Sequence, residues 1–393
     1  MPTSDEMTID ERRKYVKLMA ERYRKAKRRE RSELLSEMEQ VSKLHRKHLI
    51  RLLNGESLER KKRSTPRSRT YGVEVEQVVL RVWESLDYIC AERLTPSLAR
   101  MAKHLASFGS LVLTAEVESQ LATISPATVE RMLRKNRARK ARLPRKGPHR
   151  ANQVTKGVPM GRIPWDTADP GHFETDLVHH GGESASGEYG YTLQLIDVAT
   201  GWSERVMLLG RGQQAMEVAF TQVLERLPFE VKELHPDNGT EFFNYHLVRF
   251  WKERVTGVRL SRSRPYQKND NRHVEQKNDT LLRQYFGELR LDTAEQVAAG
   301  NALYERMWLY YNLFQPVMHL SEKIGEGDKV RRKWDEAQTP YQRLLATGVL
   351  SQEQQERLQT LYEQTNPLRL REEIYTGLAA LWDVALAQSG TAA

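Results

Sequence analysis

Three acidic residues stand where oxygen-ligand chemistry can be built. Asp176 lies in HFETDLVHH, Asp237 in HPDNGTEF and Glu275 in KNDNRHVEQKND, a run with almost no apolar residue. The first stretch alternates, with Phe173, Thr175 and Leu177 on one face and Asp176 on the other, so it reads as a strand. Asp237 ends a second short strand, EVKELH. A helix capped by Asp270 or Asn271 buries Val274, Leu281 and Tyr285 and turns Glu275 about 100° from Val274. Three carboxylates with no histidine or cysteine form a hard donor set that suits Mg²⁺ or Mn²⁺ and poorly suits Zn²⁺. Without a cation they repel and raise one another's pKa. Two divalent ions roughly 3.5–4 Å apart can activate a nucleophile and stabilise the leaving oxygen of a phosphodiester. Asn271, Arg272 and Lys277 are then placed to touch DNA phosphates.

The elements that position these residues follow in order. HFETDLVHH, EYGYTLQLIDV and GWSERVMLL are strands, the last two joined at the turn DVATG. QQAMEVAFTQVLERL has helical spacing, EVKELH is a strand, TEFFNYHLVRFWKERV a helix and GVRLSR a final strand before the Glu275 helix. The first three strands form a meander. The following helix crosses over, with a right-handed connection, to a strand parallel beside the first. Adjacent strands lie about 4.8 Å apart, so Asp176 and Asp237 can share an ion. Other residues have simpler readings. An Asp before Asn-Gly is commonly a turn former. Asp197 is explained by its hairpin turn, and Glu174 shares the face of Asp176 further down the strand. His172, His179, His180, His235 and His273 lack metal-ligand spacing and read as polar surface or DNA contacts.

The rest of the chain is basic at the front. Residues 1–150 carry 35 Lys and Arg against 19 Asp and Glu, and residues 151–393 carry 27 against 33, giving +16 and −6. That asymmetry predicts a nucleic-acid grip joined to something else. At 393 residues the chain is long for one compact domain. No stretch matches a membrane span, and MPTSDEMTIDERRKY has no apolar leader region. The single cysteine, Cys90, reads as a small core residue in a reducing compartment, and the expected location is the bacterial cytoplasm, on the nucleoid when DNA is bound.

Punctuation divides the chain into six parts: a helical unit over 1–54, a basic linker over 55–73, a second helical unit over 74–141, a Pro- and Gly-rich basic linker over 142–164, a strand-containing core over 165–320, and a helical region over 321–393. The first unit has a break near Ser42, then a helix with Leu44, Leu49, Leu52 and Leu53 inward and Arg46, Lys47 and Arg51 outward, the plan of a helix-turn-helix. The second has one helix with Thr95 as cap and Pro96 in its first turn, and another with Ser125 and Pro126 in the same roles. Val129, Met132 and Leu133 make an apolar stripe on the latter, surrounded by Arg131, Arg134, Lys135, Arg139 and Lys140, the candidate DNA contacts. In the last region Ser351 and Gln354 form a capping box, and LREEIYTGLAALWDVAL is amphipathic. That region reads either as a module holding a second protomer or a DNA end, or as a bundle packed on the core.

ETDLV, HPDNGTEF and SRPYQKNDNRHVEQKN together resemble the catalytic core of the D-D-E transposases and retroviral integrases, and most of all bacterial insertion-sequence transposases. YYNLFQP is similar to the last core helix of that family, and the resemblance covers about residues 165–320. It implies an RNase H-like mixed-sheet core, two divalent ions, and Asp176, Asp237 and Glu275 as their ligands. Two departures stand out. Thirty-seven residues separate Asp237 from Glu275, slightly more than the family's best-known spacing, and NDNR replaces the Asn-Gly that many relatives carry. The expected protein is a transposase that binds element ends, cleaves to a 3′-hydroxyl and joins it to target DNA as a homo-oligomer. A nuclease that only cuts and a DNA-binding regulator with an inactive core are the alternatives.

Overall fold

The computed structural model describes residues 7–55, 70–134, 136, 160–161, 163–164, 167–182, 186–236, 242, 245–263, 271–287, 289–326 and 329–389. Asp237, Asp270, Lys135, Arg139 and Lys140 lie outside them. The chain divides into two compact units, Met1–Thr70 and Tyr71–Ala393.

The first unit packs three helices, α1 (Ile9–Lys25), α2 (Arg28–Ser42) and α3 (Arg46–Leu53). Thr8 and Glu11 form a capping box at the start of α1. Lys43 closes α2 in the left-handed region at φ 56°, which makes the break expected near Ser42. Leu49 and Leu53 are buried against Val16, Leu34, Leu35 and Met38, with Leu44 and Leu52 packed alongside.

The second unit opens with α4 (Val73–Ser85), α5 (Ala91–Leu94), a 3₁₀ turn at Thr95–Ser97, α6 (Leu98–Ser107), α7 (Ala115–Thr123) and α8 (Pro126–Arg134). Ser125 caps α8 as expected, accepting from the Thr128 amide at 3.3 Å. Thr95 does not cap. Its hydroxyl donates back to the Ala91 carbonyl at 2.7 Å, because the helix has already begun one turn earlier, after Cys90. Cys90 is half-buried at that helix start, not a core residue. Apolar faces of α4–α8, including Val79, Leu98, Met101 and Val129, share one hydrophobic cluster with Trp202, Trp308, Phe314, Tyr341 and Leu368. Each large side chain fully buried there contributes about 1.5–3 kcal/mol.

The central sheet is mixed. Its strands are β2 (His172–His180), β3 (Gly190–Asp197), β4 (Ser203–Leu209), β5 (Glu233–Pro236) and β6 (Arg259–Leu260), preceded by the two-residue β1 (Met160–Gly161). The spatial order is β4-β3-β2-β5-β6, and β1 pairs separately with β7 (Arg262–Ser263). β2, β3 and β4 form the antiparallel meander, while β5 runs parallel beside β2 after the crossover helix α9 (Gln213–Arg226). Phe173, Leu193, Leu195 and Val206 pack on one side against α9 and α10 (Tyr245–Arg254). On the other side lie α11 (Arg272–Lys277), a π-helical turn over Asn278–Arg283, α12 (Gln284–Phe286) and α13 (Ala294–Leu309). Val274, Leu281 and Tyr285 are buried, as their spacing predicts.

The region after residue 320 is not wholly helical. Leu320–Glu326 and Lys329–Trp334 pair as antiparallel strands β8 and β9. Glu322 faces Lys333 there, with Lys333 Nζ 3.7 Å from its carboxylate. Such a charged ribbon lacks the apolar alternation that marks a strand in sequence. Helices α14 (Pro340–Thr347), α15 (Gln352–Gln364) and α16 (Pro367–Ser389) follow. The Ser351–Gln354 capping box is present, and Leu370, Ile374 and Leu378 of α16 pack with α12 and α13 side chains, so these helices form a bundle on the core. Among the described residues no helix is long and apolar enough to cross a membrane.

Candidate active site

Asp176 sits half-buried in the middle of β2, opposite Gln194 of β3, which in turn pairs with Arg205 of β4. β5 ends at Pro236, in register with Thr175, one residue short of Asp176 along the neighbouring strand. Asp176 Oδ1 accepts from the Leu177 amide at 2.8 Å, and its Oδ2 accepts from the side-chain amide of Asn278. The Asn278 oxygen accepts from Gln194 Nε2 at 2.9 Å. The helix bearing Glu275 is therefore bonded directly to the strand bearing Asp176.

A second bond set joins the same two elements. Glu174 Oε2 accepts from the amides of His273 at 2.6 Å and Val274 at 3.0 Å, at the start of α11. Asn271 occupies the N-cap position, but its side chain makes no capping bond. A helix normally leaves these first amides without intrahelical acceptors. Here a strand residue supplies the acceptor that a local cap was expected to supply.

Electrostatics place the acids in one neighbourhood. Burial raises the Asp176 pKa, opposed by the bonds from Leu177 and Asn278, while the charge of Glu275 raises it further and Arg283 lowers it. Burial pushes the Glu174 carboxyl up to about 8, against the two amide bonds and Arg272, and Glu275 again acts to raise it. Glu275 itself is exposed, on the solvent side of the pair. Acids that repel in this way, with oxygen as the only donor type, fit a hard divalent cation. Among the described residues no group of three or more His, Cys, Asp and Glu is arranged to hold a metal, and Asp237 is not among them.

Cationic groups lie deeper. Arg205 is almost fully buried, with its guanidinium 5.3 Å from the Tyr311 ring centre and 6.0 Å from that of Tyr304. Its Nε and Nη1, and Gln194 Oε1, have no hydrogen-bond partner among the described residues. Lys277 is half-buried, and burial, then Arg93 and Arg205, lower its pKa to about 7.

The remaining expected site residues are scattered. Asn271 is buried, and Arg272 is half-buried with Nε 3.2 Å from His273 Nε2. Arg131 and Arg134 are exposed on α8. In the first unit Lys47 and Arg51 are exposed, whereas the Arg46 guanidinium is engaged by Ser36 Oγ at 3.0 Å and by Ser32 Oγ at 2.7 Å. Asp197 has the turn role expected of it, accepting from the amides of Gly171 and Thr200. The histidine reading needs correction. His180 and His235 are buried, bonded to Thr192 at 2.7 Å and Ser261 at 2.7 Å, and His172 pairs with Glu233 at 2.8 Å. Burial lowers the His273 pKa to about 3. Among the five, His179 is the exposed one. Partners within the sheet satisfy His172, His180 and His235, which residue type alone does not reveal.

Two residues beside the acids, Glu174 and Asn278, were not singled out as functional from sequence. Their signals are positional: Glu174 is two residues from Asp176 on one strand face, and Asn278 three residues from Glu275 along one helical run.

No protein-family model matches the chain. It is 34% identical over 337 residues to the uncharacterized protein y4rM of Sinorhizobium fredii (strain NBRC 101917 / NGR234), a match covering 84% of this chain and 94% of that protein. Among solved structures it is similar to the catalytic core domain of BIV integrase, with a TM-score of 0.29 and 18% identity over 45% of this chain and 95% of that one. It is also similar to the HTLV-2 integrase catalytic core domain in complex with magnesium, with a TM-score of 0.28 and 17% identity over 38% of this chain and 90% of that one.

Proposed function

We propose that this chain, which belongs to the family of the y4rM protein, is a D-D-E transposase that cleaves the ends of a mobile DNA element and joins them to target DNA. The observation that carries this reading is the bonding of the Glu275 helix onto Asp176 beside the end of β5. Asp237 directly follows that strand end in the chain. The mixed sheet order, with an antiparallel meander and a parallel crossover strand, supports an RNase H-like core.

Asp176, Asp237 and Glu275 would hold Mg²⁺ or Mn²⁺, which supplies Lewis-acid activation of the attacking oxygen and stabilisation of the leaving one. The chain's own residues set the arrangement. Asn278 and Leu177 orient the Asp176 carboxylate, and Glu174 holds the helix start beside Glu275. Water attacks first and frees a 3′-hydroxyl; that hydroxyl then attacks a target phosphodiester. The second step exchanges one phosphodiester for another, so it needs no ATP and no covalent enzyme–DNA intermediate. Two ends must be held together, which calls for at least two protomers. The basic front of the chain, including Lys47, Arg51, Arg131 and Arg134, is the proposed grip on the ends.

The test is a gel assay on a pre-cut element end, identified by inverted repeats flanking the coding sequence. With Mg²⁺ or Mn²⁺ the full chain should yield a product longer than either substrate. Asp176→Asn, Asp237→Asn and Glu275→Gln should abolish it while leaving DNA binding intact. Only shorter fragments would support a nuclease instead, and binding with no cleavage would support a regulator.

A further inference from the structure

We infer that Glu174 is a positioning residue for Glu275, fixing the start of α11 from the strand that carries Asp176; this rests on the transposase reading of the site. Glu174 is 2% exposed and its Oε2 accepts from two consecutive helix amides, at 2.6 and 3.0 Å. Two residues further along β2, Asp176 accepts from Asn278. The two anchors match in length. Two strand residues span about 6.7 Å, and the four to five helix residues from His273 or Val274 to Asn278 span about 6–7.5 Å. The helix therefore lies along the strand with one bond set on either side of Glu275. Loss of the first removes the two hydrogen bonds that tie the His273 and Val274 amides to β2, and Glu275 lies on that side of Asn278.

The Asn271 side chain, in the N-cap position of α11, makes no capping bond. An acceptor oxygen from β2 thus takes the place of the local cap that usually meets the first amides of a helix.

The experiment compares Glu174→Ala and Glu174→Gln in the full chain. Hydrogen exchange in the 271–278 segment is read by mass spectrometry, together with joining activity across a Mg²⁺ titration. First-turn amides have no intrahelical acceptor, so protection at His273 and Val274 reports on Glu174. Glu174→Ala should lose that protection, fall about a hundredfold in joining, as a displacement of about 1 Å at an active site does, and need more Mg²⁺ for half-maximal activity. Glu174→Gln keeps an acceptor oxygen of the same reach and should retain protection and Mg²⁺ requirement, with joining within about threefold of wild type, since no reacting group is moved. Protection unchanged in Glu174→Ala overturns the inference. So does a Glu174→Gln variant as inactive as Asp176→Asn, which would make Glu174 a ligand. If Glu174→Ala does not fold, Glu174→Asp, one methylene shorter, takes its place with the same expectations. Exchange is measured without DNA, so a wild-type chain that joins nothing would refute the transposase reading while the exchange result still decides the anchor.

Discussion

The Asn278 side chain bridges two strands of the sheet to the helix above them, donating to Asp176 Oδ2 and accepting from Gln194 Nε2 at 2.9 Å. Both of its polar ends are used, and both bonds are to neighbours on one face of the sheet, since Asp176 and Gln194 are register partners. Replacing Asn278 with Ala should lower joining activity about tenfold to a hundredfold, with DNA binding unchanged. Asn278→Asp should do more harm. It loses the donor and sets a second carboxylate against Asp176, so in the absence of divalent cation it should melt below Asn278→Ala, and Mg²⁺ should narrow that gap. Thermal melts with and without Mg²⁺ check this.

The first unit has its own core and should fold as a fragment of residues 1–70. Under the proposed function it binds DNA with an affinity that falls steeply as salt rises. Lys47→Ala and Arg51→Ala should each weaken binding and reduce the log–log salt slope by about 0.9. Arg46→Ala should instead lower the melting temperature, because its guanidinium ties α3 to Ser32 and Ser36 of α2. A fragment whose binding is absent or indifferent to salt would leave an ordinary helical bundle. A fragment ending at residue 150 should aggregate, since it uncovers faces of α4–α8 that the rest of the second unit buries.

His180 gives a pH dependence with a definite sign. Burial, then the neighbouring His179, lower its pKa from 6.5 to about 3. Between those values the unfolded chain binds a proton that the folded chain does not. The stabilising contribution is therefore complete above pH 6.5 and is lost as pH falls toward 3, by about 1.4 kcal/mol per pH unit. His273, lowered to about 3, acts in the same direction, while Glu174, raised to about 8, acts in the opposite one. The difference between wild type and His180→Gln isolates one ring. Denaturant titrations at pH 7 and pH 5 should show the variant losing less stability than wild type.

Gly171, just before β2, has φ +111°, and a Cβ there would lie 2.6 Å from the Glu230 carbonyl oxygen. Its amide donates to Asp197 and its carbonyl accepts from Lys232 and Glu233, so it sets the start of the β2–β5 pairing that leads to Asp176. Gly171→Ala should cost about 3 kcal/mol, combining a left-handed backbone with a clash against main chain that cannot rotate away. A lower urea midpoint for the second unit checks it.

Much of this protein is written locally. The strand over HFETDLVHH, the turn at DVATG, the caps at Ser125 and Ser351, and the buried stripe of Val274, Leu281 and Tyr285 all appear where their spacing places them. Each depends on residues within a turn or two of one another, so sequence alone determines it. The charge asymmetry and the order of the three acids are legible for the same reason. What tertiary structure decided are the partners. Glu174 meets His273 across 99 residues and Asn278 meets Asp176 across 102. Arg46, outward by helical spacing, turns back onto α2, and His180 is buried because β3 and α12 cover it. Helices α4–α8, self-contained by their own pattern, complete a core that extends to α16. Periodicity says which face of an element is apolar. Which other face meets it, and which buried polar group must then find a partner there, follows only from how the whole chain packs.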